Sequence, residues 1–152
     1  MTPFRAVDPY DWAALRALIA RAFAGMEGRI DPPSSLHRLT AQDLARQAVT
    51  GEVWVIGVPA LACVVLTPKG DALYLGKLAV KPEQQGKGFG RALVAVAQDR
   101  ARALGFAALE LETRVELVEN QRFFIGLGFH EVDRKAHPGF DGPTSITWRK
   151  AL

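Results

Sequence analysis

Leu78-Ala79-Val80-Lys81-Pro82-Glu83-Gln84-Gln85-Gly86-Lys87-Gly88-Phe89-Gly90-Arg91-Ala92-Leu93 is a strand, a glycine-rich loop and then the start of an amphipathic helix. Gly86, Gly88 and Gly90 alternate along the loop, where they let the backbone approach a ligand and adopt unusual φ and ψ. Successive amides in such a loop form an anion nest, and the positive end of the following helix adds to it. The ligand implied is a phosphate or a pyrophosphate. A P-loop is excluded because no Ser or Thr follows Lys87. A dinucleotide-binding turn wants G-x-G-x-x-G after the first strand of a βαβ unit, whereas here the spacing is G-x-G-x-G and antiparallel strands come first.

Upstream of this stretch, strand-like runs at Val53 to Val58, Leu61 to Thr67 and Ala72 to Val80 are separated by Pro59-Ala60 and Pro68-Lys69-Gly70-Asp71, the pattern of an antiparallel meander. Phe4 to Val7 reads as a first strand. Asp8 reads as the N-cap of a helix with Pro9 at its first position, and Leu15, Leu18, Ile19, Ala22 and Phe23 fall on one face of it. Gly25 to Ser35 is a break. Thr40 caps a second helix, with Asp43 three residues on, that runs to Gly51.

Downstream, Phe89 to Leu104 is a helix with an apolar set of Leu93, Val96, Ala97 and Leu104, stopped by Gly105. Ala107 to Thr113 is a strand, about Asn120 to Leu127 a short helix, and Phe129 to Arg134 and Ser145 to Lys150 are the last strands. No repeat, low-complexity tract or linker interrupts them, so the expectation is one domain over residues 1–152 with a mixed sheet.

The bulk composition agrees. Hydrophobic residues make up 49% and charged ones 23% of 152 residues, which is ordinary for a globular chain. The net charge of +3, with scattered Lys and Arg, suits an anionic ligand but argues against nucleic acid. Cys63 stands alone in an apolar run, which excludes an internal disulfide and suits a buried thiol. Nothing in the His, Cys and carboxylate spacing resembles a metal site. No apolar stretch approaches the ~20 residues of a membrane span, and the N-terminus lacks a signal-peptide pattern. A soluble cytoplasmic protein is the default expectation.

The stretch from Leu78 to Leu93 resembles the acetyl-CoA signature of the GNAT superfamily of N-acetyltransferases, Gln/Arg-x-x-Gly-x-Gly/Ala, with Gln85, Gly88 and Gly90 at its three positions. Asn120-Gln121-Arg122-Phe123-Phe124-Ile125-Gly126-Leu127-Gly128-Phe129 is similar to the family's later element. The resemblance spans nearly the whole chain. It implies an α/β (α+β) fold, in which a mixed, largely antiparallel central sheet is flanked by helices on both faces.

It also implies a cofactor, acetyl-CoA. The backbone of Gln85, Gly86, Lys87, Gly88, Phe89, Gly90 and Arg91 would hold the pyrophosphate. Leu78, Ala79 and Val80 would pair with the pantetheine, and Asn120, Phe123 and Phe124 would complete the site. The amide nitrogen of Val80 would face the developing oxyanion. The activity implied is acetyl transfer to a primary amine of a small molecule or peptide, by direct attack.

Two positions depart from the family pattern. Phe124 stands where a Tyr usually protonates the leaving thiolate, and Gly76-Lys77 stands where many relatives carry a basic Glu. Glu110 and Glu112 share one face of the next strand, with Glu112 nearer the thioester end. The pair is read either as solvated carboxylates or as the source of a base, Glu112, and a water chain could also serve. An acceptor amine would meet the break after the first helix, through Glu27, Arg29, Asp31 and Ser34, with His137 in a later loop. The departures leave open a non-catalytic acyl-CoA-binding sensor or partner module of the same fold. Oligomeric state is open between monomer and homodimer.

Overall fold

The computed structural model covers Met1–Leu152. It has strands β1 (Phe4–Ala6), β2 (Glu52–Ile56), β3 (Ala62–Lys69), β4 (Ala72–Val80), β5 (Ala108–Arg114), β6 (His130–Lys135) and β7 (Ser145–Ala151). The helices are α1 (Trp12–Phe23), α2 (Ala41–Thr50), α3 (Phe89–Leu104) and α4 (Val118–Gly126). All seven strands join one sheet in the order β1-β2-β3-β4-β5-β7-β6. Every neighbouring pair is antiparallel except β4 and β5. This is the mixed, largely antiparallel sheet that the element order implied, with helices on both faces.

One core lies under α3 and α4, where Leu93, Val94, Ala97, Ala101 and Phe124 pack on Val64, Leu66, Leu73, Leu75, Leu109 and Trp148. The other lies under α1 and α2, where Leu15, Ile19, Leu44 and Ala48 pack on Val53, Val55, Cys63, Val65 and Ala79. The second core stops at β4. Leu109, Leu111, Ile146 and Trp148 face α3 and α4, so alternation turns Glu110, Glu112, Thr147 and Arg149 to a sheet face that no helix covers.

Two irregularities open the middle of the sheet. β4 and β5 pair over only three residues, Ala72↔Ala108, Leu73↔Leu109 and Tyr74↔Glu110, and then part. On the other side of β4 the register with β3 runs Cys63↔Ala79 and then Val65↔Gly76, so β4 carries one extra residue. Lys77 sits in this bulge with φ 50. A bulge shifts the alternation by one: Leu73 and Leu75 face the α3 core, whereas Ala79 faces the α1 and α2 core.

Several boundaries differ from the sequence reading for local reasons. Helix α1 starts three residues late: Asp11, not Asp8, is its N-cap and accepts from Ala14 N at 3.0 Å. Asp8 instead accepts from Trp12 Nε1 at 2.5 Å, and Tyr10 packs edge-on to Phe4 and Trp12. Pro9 therefore lies before the helix rather than inside it. In α3 the buried face is Leu93, Val94, Ala97 and Ala101; Val96 is half-buried, and Leu104 is exposed where the chain turns away at Gly105. Helix α4 begins at Val118, two residues before Asn120. The capping box of Thr40 and Asp43 forms as read. Cys63 is fully buried, and burial pushes its thiol up to about 12. No helix is long and apolar enough to cross a membrane, and no cluster of His, Cys, Asp and Glu has the arrangement of a metal site.

Candidate active site

Where β4 and β5 part, a cleft of about 840 Å³ runs between them. Its floor is β4 from Tyr74 to Leu78, with Val80, and its far wall is Leu111, Glu112 and Thr113 of β5. The glycine loop and the start of α3 close one end, and Asn120, Phe123 and Phe124 of α4 form a side. Of the cofactor residues expected from the sequence, all but Ala79 and Lys87 line this cleft. Ala79 points to the opposite core, and Lys87 bonds Gln84 Oε1 at 3.2 Å.

The loop is shaped as a cradle. Gly86 and Gly88 have φ 79 and φ 86, and a Cβ on either would enter open space; both line the cleft. A side chain at either position would also adopt a left-handed backbone that only glycine takes easily. The third glycine is placed differently. A Cβ at Gly90 would meet Phe123 Cζ at 3.5 Å and Val80 Cγ2 at 3.9 Å, ordinary van der Waals contact, so this position faces α4 and β4 rather than open space. Gly88 is the N-cap of α3 and offers no side chain to it. The first intrahelical bond runs from Ala92 N to Gly88 O, which leaves the amides of Phe89, Gly90 and Arg91 free for an anion.

The floor of the cleft is a strand edge. Lys81 N donates to Leu61 O at 2.8 Å, toward β3. Successive amides along a strand point to opposite edges, so the Val80 N–H points away from β3, into the gap that β5 has left. A phosphate cradle, an apolar wall and an unpaired strand edge in one cleft suit a ligand with a pyrophosphate head and an amide-bearing tail, so the residues present fit coenzyme A.

The two carboxylates of β5 separate in role. Glu110 is buried at the closed end of the fork, with Lys69 Nζ at 2.8 Å and Arg149 Nη1 at 3.4 Å. Glu112 lines the open cleft, and its nearest cation is Lys135 at 3.7 Å. Phe124 is part of the core, edge-on to Phe123 and Phe129 with centroids at 5.1 and 5.6 Å.

Tyr74 is the site residue that sequence reasoning missed. It lines the cleft beside Glu112, whose carboxylate, with that of Glu110, acts on its phenol. Burial, and then the carboxylates of Glu112 and Glu110, push the phenol well above the ordinary tyrosine range, so it stays protonated. Its even spacing with Gly76 along the strand was the available signal. The partner strand was not legible.

The loop between α1 and α2 is strapped across the mouth of the cleft. Arg29 reaches Glu119 of α4 at 2.6 Å, Asp31 N donates to Glu116 Oε2 at 3.1 Å, and Arg114 Nη2 donates to Pro33 O at 3.3 Å. Of the expected acceptor residues, only Arg29 lines the cleft. Glu27 and Ser34 line a smaller neighbouring cavity of about 340 Å³, where Glu27 meets His37 Nε2 at 2.9 Å. Ser34 Oγ is occupied by Leu36 N. Asp31 lines none of these cavities, and neither does His137, which bonds Thr144 Oγ1 through its backbone N and its ring Nδ1.

Comparisons with known proteins agree with this geometry. The family model described as acetyltransferase (GNAT) family matches residues 12–129. No curated protein matches significantly. Among solved structures, an acetyltransferase of the GNAT family from Staphylococcus aureus Mu50 superposes with a TM-score of 0.77 at 15% identity, over 99% of this chain and 98% of its own. The PaiA N-acetyltransferase from Thermoplasma acidophilum, in complex with coenzyme A, has a TM-score of 0.77 at 14% identity, over 100% of both chains. The ribosomal-protein-S18-alanine N-acetyltransferase from Escherichia coli has a TM-score of 0.72 at 21% identity, over 99% of this chain and 94% of its own. At these identities the likeness carries the fold, and the family match carries the membership. The chain belongs to the GNAT acetyltransferase family.

Proposed function

We propose that this protein transfers the acetyl group of acetyl-CoA to a primary amine of a small molecule or peptide. The observation that carries the reading is the joint lining of one cleft by the glycine cradle, the free edge of β4, and Glu112. Acetyl-CoA, when bound, supplies the thioester whose acyl carbon exchanges sulfur for the amine nitrogen. The free amides at the start of α3 and in the loop hold the pyrophosphate, and Leu78 and Val80 offer strand-edge partners to the pantetheine amides. Val80 N–H is the donor for the oxyanion, an electrostatic contribution that needs no side chain.

An amine near pKa ~10.4 must lose its proton to react at neutral pH. Glu112 and Glu119 are the carboxylates that line the cleft; Glu119 is held by Arg29, and Glu112 takes that role, directly or through water. Phe124 has no proton to give. Tyr74 is the one phenol lining the cleft, and burial keeps its own proton on it. The apolar burial of Phe124 also supports a second reading, a module that binds acyl-CoA without turnover.

Titration calorimetry of acetyl-CoA, with free-thiol release measured over a panel of amines, tests both readings. Saturable binding with thiol release from some amine supports transfer. Tight binding with no release from any amine supports the sensor. No binding by a folded protein overturns both.

A further inference from the structure

Beside the cleft lies a cavity of about 400 Å³ lined by Phe23, Arg38 and Asp43, and it shares Tyr74, Gly76 and Lys77 with the cleft itself. Both spaces are thus bordered by the β4 bulge. An acceptor whose amine reaches Glu112 and whose body extends along β4 meets the side of this cavity.

The charges around it are uneven. Lys77 is half-buried in the bulge, and no carboxylate lies within ion-pair distance of its ammonium; the charged group that acts on it is Asp43. Asp43 is already engaged: its Oδ2 accepts from Thr40 N at 2.9 Å and its Oδ1 is bound by Arg46. Arg38 is exposed at the rim with no acidic partner. The acceptor-side charges singled out in the sequence are spent, Glu27 on His37 and Arg29 on Glu119. The cations of this cavity are Lys77 and Arg38, neither of them paired with a carboxylate.

Lys77 is also unusual for its backbone. It is the one non-glycine residue of the chain with positive φ, a conformation that a long side chain tolerates poorly. A cation held there half-buried and unpaired is costly unless an anion answers it. Burial already lowers the pKa of its ammonium, and a bound anion would reverse that.

We infer that the acceptor of this site carries an anionic group, a carboxylate or a phosphate, besides its amine, and that Lys77 and Arg38 seat that group. The inference rests on the transfer reading above and narrows its substrate class. Glu112 faces the amine and the bulge faces the anion. Lys77 stands three residues from Tyr74, on the order of 10 Å along an extended strand, so the acceptor is compact and bears both charges. Amines without an anion leave Lys77 unanswered and bind weakly.

The test uses matched probes titrated by calorimetry into the full chain saturated with coenzyme A. The pairs are 6-aminohexanoate against hexylamine, glycine against methylamine, and O-phosphoethanolamine against ethanolamine. Each is repeated with Lys77→Asn, which removes the charge but suits the positive φ, and with Arg38→Gln at the exposed rim. The expected result is at least roughly tenfold tighter binding of the anionic member of one or more pairs, lost in Lys77→Asn while coenzyme A affinity stays the same. The carboxylate and phosphate arms then say which anion is preferred. Equal binding within every pair, a preference that survives both substitutions, or no binding by any probe overturns the inference. Thiol release with the same panel separates the two readings: release indifferent to the anion removes the pocket and keeps transfer, whereas anion-dependent binding without release removes transfer and keeps the pocket.

Discussion

The ring of Tyr74 fills the space above Gly76: a Cβ on residue 76 would stand 3.4 Å from Tyr74 Cε1. The phenol at 74 thus packs over the glycine at 76, where a side chain longer than a methyl would crowd it, and it stands in the cleft beside Glu112. Tyr74→Phe should lower the rate of thiol release about tenfold, the equivalent of one lost hydrogen bond of ~1.4 kcal/mol. Acetyl-CoA affinity should be unchanged. In an alkaline absorbance titration, the variant should lose a phenol that ionises well above the usual ~10, because burial and two neighbouring carboxylates disfavour its anion. An unchanged rate would show the hydroxyl idle.

Gly88→Glu should abolish acetyl-CoA binding in calorimetry while the circular dichroism spectrum stays that of the parent. The substitution sends bulk and negative charge into the open side of the cradle at φ 86. As a control free of backbone strain, Arg91→Ala should weaken binding by a smaller, salt-dependent factor, since Arg91 is exposed at the cleft in the first turn of α3. Full affinity in both variants would move the cofactor elsewhere.

Glu112→Gln and Glu110→Gln should separate chemistry from stability. Loss of a general base costs on the order of 10² to 10⁴ in rate, so Glu112→Gln should fall in that range and keep its melting temperature. Glu110→Gln breaks the contacts with Lys69 and Arg149 at the closed end of the fork and should lower the melting temperature instead. The reverse pattern would take the base role from Glu112.

Acid stability should depend on Glu52. Arg100 holds both carboxylate oxygens at 2.8 and 2.7 Å, and Trp54 Nε1 adds a bond at 2.8 Å. The Arg100 hydrogen bonds are the main cause that sets the Glu52 pKa below the ordinary glutamate value, against the cost of burial. A carboxyl whose folded pKa lies below its unfolded one stabilises the fold above the unfolded value, ~4.3, and that contribution is lost as pH falls through the folded one. Glu52→Gln should therefore destabilise at neutral pH by about 1–2 kcal/mol, allowing for solvent around Arg100. The gap between parent and variant should shrink in denaturant melts below the glutamate range.

Arg29→Ala should free the strap over the cleft mouth. The pair with Glu119 is exposed on both sides, so melting should hardly change, but the strap loses one of its three ties to β5, α4 and the loop between them. The expected signature is a changed KM for the amine, with acetyl-CoA affinity altered less. Identical kinetic constants would mean that the strap does not govern entry.

The cradle was readable because its information is local. Strand, glycines and helix follow one another within Leu78 to Leu93, and α3 has the bounds that its periodicity and Gly105 indicate. The capping box of Thr40 and Asp43 was local too. What escaped was set by distant partners. β4 and β5 are separated in sequence by the loop and all of α3, so nothing near Tyr74 announced that it would stand beside Glu112. The bulge at Lys77 exists because β4 outruns β3 by one residue, a mismatch invisible in either strand alone. The loop charges Glu27 and Arg29 were rightly seen as polar, but their partners, His37 and Glu119, lie in other segments.

The core under α1 and α2 ends at β4, and beyond it Glu112 and Arg149 stand on a sheet face without a helix over it. The amine side of the site is thus built from residues on which little of the apolar core depends, whereas the cofactor side is anchored in it. Substitutions in loops and on uncovered faces change stability little. On the proposed reading, point changes around Lys77, Arg38 and the strap would exchange one amine for another while the donor cleft is inherited intact. What is acetylated would then drift far more freely than what does the acetylating.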